Sequence, residues 1–168
     1  MKEVRIPVTR LKDYLAEVGI AVTTLADMAQ INPVHLHKCL AAEVDPRNGS
    51  VHTMSDDALE RLQEALHQMA LSLKHLFIYY NTDLEVVKKN GRRYCPDCIE
   101  QVRRDLSPLV SIIPFLEYAL DWNRSKVRNV LDRHSASYGN ISSDDCDRIN
   151  LRMAEVATRL ELLTLVKS

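Results

Sequence analysis

Leu25-Ala26-Asp27-Met28-Ala29-Gln30-Ile31-Asn32-Pro33-Val34-His35-Leu36 carries two helix signals on either side of one short turn. Its centre is a helix start: Asn32 can cap, and Pro33 fits the first helical position because no backbone N–H is needed there. The spacing predicts a helix from Pro33 to Ala41 with Leu36, Cys39 and Leu40 inward. Upstream, Leu25, Met28 and Ala29 form the inner face of a shorter helix that Thr23 or Thr24 would cap. Two short helices therefore meet across a tight turn.

Working outward, Leu11, Leu15 and Val18 lie on one face of a first helix from Val8, and Gly19 is a natural stop. A polar loop, Asp45-Pro46-Arg47-Asn48-Gly49-Ser50, follows the third helix. Ser55-Asp56-Asp57 then opens a long helix running to about Tyr80, its acids placed in the first turn. Leu59, Leu62, Leu66, Met69, Leu73 and Leu76 form its buried stripe. Residues 82–98 admit two readings. Val86 to Cys95 reads as a hairpin on an Asn90-Gly91 type I′ turn, pairing Val87 with Tyr94 and Val86 with Cys95. Thr82-Asp83-Leu84-Glu85 is equally a capping box for a helix that Gly91 would stop. The hairpin is preferred. A further helix-rich block runs from Pro96 onward.

That block repeats the first. At an offset of 91, Leu11, Leu15, Val18, Val22, Leu25, Ile31, Leu36, Cys39 and Leu40 fall on Val102, Leu106, Leu109, Ile113, Leu116, Trp122, Val127, Val130 and Leu131. Asn32 falls on Asn123. After a loop shorter by four residues, Ser55-Asp56-Asp57 meets Ser142-Ser143-Asp144 at an offset of 87. The shift falls in a loop, where length changes are tolerated. The expected fold class is mainly α: tandem helical units, 1–81 and 99–168, joined by a connector over 82–98 with one short β-hairpin.

Composition bounds the function. The chain has 168 residues, 46% hydrophobic and 5% aromatic, with four Gly, enough for a packed core and unlike a β-sandwich. No apolar run reaches the roughly 20 residues of a membrane span, and the charged start MKEVRIPVTRLKDYL resembles no signal peptide. Four Cys without such a signal read as reduced thiols, so a cytoplasmic location is expected. The net charge of −1 argues mildly against nucleic acid. Its distribution is uneven, however. Residues 1–81 hold 8 basic and 10 acidic side chains, whereas residues 88–134 hold 10 basic and 6 acidic.

Residues 9–70 resemble a λ-repressor/Cro-type helix-turn-helix domain, most closely over Leu25 to Leu36. In that pattern Leu25, Ile31 and Leu36 fill the wedge between two crossing helices and Ala26 lets them approach. The family usually has Gly where Gln30 stands, because the turn takes a left-handed conformation. The resemblance implies duplex-DNA binding, with the start of the third helix in the major groove. Carried onto this chain, the contacting residues are Asn32, Val34, His35, His37 and Lys38, beside Pro33. The divergent second copy implies Asn123, Arg124, Ser125, Lys126, Arg128, Asn129 and Arg133. Arg can grip guanine O6/N7 and Asn adenine N6/N7, so the second set is the better reader. Lys126, Arg128 and Arg133 are placed for phosphates. The second unit departs further from the family at Glu117, where a small residue is usual, and at Pro114. The other reading of Arg124 to Arg133 is a solvated helix face. Trp122, the only Trp, is expected to plug the core.

Cys95-Pro96-Asp97-Cys98 is half of a common zinc pattern. A closed site needs two more ligands, which Cys39, Cys146 or a second chain would have to supply. Structural thiols are the preferred reading, zinc on Cys95 and Cys98 the second, redox chemistry the third. His35 and Cys39 lie one turn apart, but Cys39 matches the core position Val130. No Gly-rich phosphate loop, nucleophile elbow or paired-carboxylate motif is present, so an enzyme is not expected, nor a small-molecule substrate. The expectation is a transcriptional regulator of plasmid, phage or mobile-element type, with a homodimer if only one unit binds. The alternative is a helical protein-interaction module, an anti-repressor or assembly adaptor, using Leu76-Phe77-Ile78-Tyr79-Tyr80 as its partner surface.

Overall fold

A computed structural model describes residues 2–167. The chain is mainly helical. β1 (Val4–Pro7) leads into α1 (Val8–Val18), α2 (Val22–Ala29), α3 (Pro33–Leu40) and α4 (Asp56–Lys74). A 3-10 turn, Thr82–Leu84, precedes the hairpin β2 (Val86–Val87) and β3 (Arg93–Tyr94). Then come α5 (Pro96–Gln101), continued by a π-helical turn Val102–Leu106, α6 (Ile112–Leu120), α7 (Arg124–Leu131), α8 (Ser143–Leu162) and β4 (Leu163–Val166). The helix order recurs at the offsets read from the sequence: α7 starts and ends 91 residues after α3, and α8 starts 87 residues after α4. No helix among the described residues is long and apolar enough to cross a membrane.

Local chemistry explains the boundaries. Asn32 accepts from the Val34 and His35 amides, with Pro33 at the first position of α3. Asn123 caps α7 through the Lys126 amide. Ser55 caps α4, and Ser142 caps α8 in a full capping box with Asp145. Pro114 lies in the first turn of α6, where its missing N–H costs nothing. Neither Thr23 nor Thr24 caps α2; that position falls to Ala21, without a side-chain bond. Met28 is not inward either. It is exposed, and Ala26 takes the buried place with Leu25 and Ala29.

The long helix does not reach Tyr80. α4 ends at Lys74, and residues 76–80 have no regular secondary structure. Asn150 on α8 removes those residues from the helix: Ile78 N donates to its Oδ1 and its Nδ2 donates to Ile78 O, both at 2.8 Å. Ile78 is buried by this, while Phe77 and Tyr79 project outward. On the other side Gln101 holds Tyr79, accepting from its amide at 3.0 Å and donating to its carbonyl at 2.8 Å.

A matching arrangement stands at the far end of the chain. β4 runs parallel to β1, with Val4 opposite Leu163 and Pro7 opposite Val166. Gln63 on α4 donates to Leu163 O and accepts from Leu165 N, both at 2.7 Å. α4 lies against α8, and one contiguous apolar core includes Leu62, Leu66 and Met69 of α4 with Ile149, Met153 and Leu160 of α8. Helices from both halves also meet at Gly19. A Cβ there would sit 2.6 Å from the Phe115 backbone nitrogen, and Gly19 O accepts from Ser111 N at 2.7 Å.

The connector is a hairpin after a single 3-10 turn, but its register differs by one from the sequence reading. Val86 faces Tyr94 and Val87 faces Arg93. Lys88 N donates to Arg92 O, leaving Lys89, Asn90 and Gly91 as a three-residue loop. Only Gly91 takes a positive φ, +75°. A type I′ turn would need Asn90 left-handed as well, so the longer loop with Gly in the bulge position forms instead. Residue 98, the end of the connector as read, lies inside α5.

Candidate nucleic-acid interface

Each of the two short helix pairs turns on a left-handed non-glycine residue. Gln30 has φ 55° and ψ 45°, and Asp121, 91 residues on, has φ 55° and ψ 38°. Such a residue costs about 1 kcal/mol relative to glycine. At Gln30 an offset is visible. Arg61 of α4 donates through Nη1 to Gln30 O at 2.7 Å and to Ala29 O at 3.3 Å. This ties the turn to the long helix. Asp at the second turn is a residue that tolerates this region better than most.

The turns aim α3 and α7 outward. On α3 the apolar face of Leu36, Cys39 and Leu40 is buried, while Val34, at 62% exposed, and His35 and His37 face solvent. Lys38 is half-buried, and Asn32 is spent on the cap. His35 also turns back into the fold, its Nε2 lying 3.5 Å from Cys39 Sγ and its ring edge-on to His52. On α7, Val127, Val130 and Leu131 are buried and Arg124, Ser125, Lys126, Arg128 and Asn129 are exposed. The structure thus places the sequence-derived candidates on α3, α7 and their caps, except Arg133, which lies in the turn after α7. The second set is exposed along its whole length.

Its charges are partly committed. Arg124 Nε donates to Glu117 Oε1 at 3.0 Å, so Glu117 does not wedge the helices apart but lies beside the outer face. Arg133 grips Glu100 through both Nε and Nη2, at 2.9 and 2.6 Å. That pair and the Tyr138 hydroxyl pull the Glu100 carboxyl down to about 2. Lys126 Nζ sits 4.2 Å over the ring of Trp122, which is half-buried at the rim of a cleft and does not plug the core. The side chains of Ser125, Arg128 and Asn129 hold no hydrogen bond or ion pair among the described residues. Exposed ion pairs contribute about 0–1 kcal/mol each, so exchanging Glu117 or Glu100 for a phosphate costs little.

The hairpin extends this surface, which the sequence reading did not foresee. Arg93 of β3 and Lys126 of α7 line one cleft. Lys88 reaches Ala136 O in the loop after α7 and covers the Tyr94 ring. Two hairpin cations therefore stand near α7, Lys88 through the loop that follows it and Arg93 across the cleft from Lys126, with Arg93 paired to Glu85 at 3.1 Å. The charge run was visible in the sequence; its position beside α7 depends on contacts 48 residues apart.

Cys95 and Cys98 are both buried. Cys98 Sγ lies 3.1 Å from Cys146 Sγ and donates to Tyr79 O at 3.0 Å. The hydrogen bond with Cys146, and then burial, raise the Cys98 thiol well above its ordinary range. Thiols held in this way are poor nucleophiles. Of the extra ligands considered for zinc, Cys146 is adjacent, whereas Cys39 packs beside His35 on α3. No group of three or more His, Cys, Asp or Glu among the described residues is arranged to hold a metal ion.

No family model matches this chain, and no curated protein or solved structure resembles it closely enough to register.

Proposed function

We propose that this protein binds duplex DNA as a transcriptional regulator of the plasmid, phage or mobile-element kind, built from two λ-repressor-like helix-turn-helix units. The observation that carries the reading is α7. It follows a left-handed turn at Asp121, is capped by Asn123, and presents Arg124, Ser125, Arg128 and Asn129 as one exposed polar face over a buried apolar one. Side chains of this kind at the start of such a helix match the base edges of the major groove. The cations of the adjacent hairpin supply phosphate contacts that fix orientation without reading sequence. α3 has the same placement and less to read with, so α7 does most of the reading.

A mobility-shift titration with a random-sequence duplex pool tests this. The protein should retard duplexes at low salt, with affinity falling steeply as salt rises. Selection of bound sequences should give a preference that Arg124→Ala and Asn129→Ala relax, each by about 1–3 kcal/mol of discrimination. Absence of retardation even at low salt would reject the reading. It would favour instead the interaction module, for which the exposed, edge-to-face pair Phe77 and Tyr79 (ring centroids 4.6 Å apart) is the supporting observation.

A further inference from the structure

Several contacts between the two halves recur as reciprocal pairs, although the α1–α6 contact at Gly19 has no comparable counterpart between α2 and α5. α4 packs on α8, and these are each other's counterparts. Gln63 of α4 clamps the backbone at Leu163 and Leu165, while Asn150 of α8, 87 residues on, clamps Ile78, the residue 87 before Leu165. Pro7 faces Val166 in the β1–β4 ladder, and their counterparts at the two offsets, Cys98 and Tyr79, also meet: Cys98 Sγ donates to Tyr79 O. When i touches j and the counterpart of j touches the counterpart of i, the contact is isologous, as across a two-fold axis. Units strung head to tail would show one set without the other.

We infer that the chain is the single-chain counterpart of a two-fold dimer in which each half grips the tail of the other, and that one copy spans two unlike DNA half-sites. The target part of this rests on the DNA-binding reading above. An internal two-fold relates α3 to α7, as the reading helices of a dimeric repressor are related over half-sites about 34–36 Å apart. In a homodimer those helices are identical and the target is a palindrome. Here the buried positions agree while the exposed ones have diverged: Pro33, Val34, His37 and Lys38 stand opposite Arg124, Ser125, Arg128 and Asn129. One half-site is read by guanidinium and amide groups. The other meets an isopropyl group suited to a thymine methyl.

The test uses the full chain on duplexes selected from a random pool, with the mass of each complex measured by sedimentation or native mass spectrometry. One copy per duplex is expected, on two dissimilar half-sites in fixed order. Asn129→Ala should relax base preference about tenfold in one half only, and Val34→Ser more weakly in the other half only. Two copies on a palindrome would overturn the inference while leaving DNA binding intact. So would both substitutions acting on the same half. Failure to retain any duplex would instead remove the DNA reading, and the half-site proposal with it.

Discussion

Replacing Gly19 with alanine probes a close backbone approach between the two halves, and Gly49→Ala supplies its control. Both glycines are left-handed, with φ of +79° and +69°. An alanine at either pays the same conformational penalty, about 1 kcal/mol, partly offset because alanine also restricts the unfolded chain. Their surroundings differ. A Cβ at Gly49 meets nothing within 4 Å, whereas at Gly19 it would lie 2.6 Å from Phe115 N and 2.9 Å from Phe115 Cα. These are backbone atoms of α6 and cannot rotate away. Restoring van der Waals contact at 3.4 Å means opening the α1–α6 approach by roughly 0.8 Å, which overpacking data put at about 1–3 kcal/mol. The Ser111 N to Gly19 O bond is stretched in the process, for about 1 kcal/mol more. Gly19→Ala should therefore cost about 2–5 kcal/mol and Gly49→Ala no more than about 1 kcal/mol. In urea the first should lower the unfolding midpoint by roughly 1 M or more, and the second should barely move it. Equal midpoint shifts would refute the reasoning, since the two sites would then differ in nothing that matters.

Asn150→Leu keeps volume but strands the buried amide and carbonyl of Ile78, so it should destabilise by about 2–4 kcal/mol. Amide exchange at Ile78 should accelerate with it, and unchanged protection would mean that the clamp is idle. The Glu100 tie gives a pH signature. Its folded-state carboxyl is lowered from 4.5 to about 2, so the stabilisation is fully present above pH 4.5 and disappears as pH falls through about 2. With Glu100 more than a third exposed, it amounts to no more than about 1 kcal/mol after screening. Glu100→Gln should melt slightly below the parent at pH 6 and level with it near pH 2; a gap that is the same at both pH values would count against the assignment.

Much of the helical layout was legible because its signals are local. Asn32-Pro33 marked the start of α3, Gly19 the end of α1, and the apolar spacing carried both halves at offsets that the helix boundaries reproduce. The candidate reading residues were legible for the same reason. What escaped depends on distant partners. Leu76 continues the period of Leu73 with no Gly or Pro to stop the helix, and Asn150, 72 residues past Ile78, together with Gln101 holds that segment off the helix. Gln63 and Asn150 carry no sequence signal, because nothing beside them in sequence reveals a backbone needing partners. The β1–β4 ladder joins short strands from opposite ends, without the turn chemistry that announces a hairpin. In the hairpin itself, Asn90-Gly91 gave the turn but not its length, since a one-residue change depends on whether Asn90 goes left-handed.

The β1–β4 ladder also sets an order of events during synthesis. β1 leaves the ribosome before α1 and its partner only after α8. Until then Arg5 and Ile6 carry an open strand edge, the kind of surface that invites pairing with the wrong chain. The first four helices can form meanwhile, but the groove awaiting β4 stays unfilled, and Gln63 has no backbone to hold. The slowest native contact to appear should thus be the one joining the two ends, made when the last strand threads between Gln63 and the waiting edge of β1.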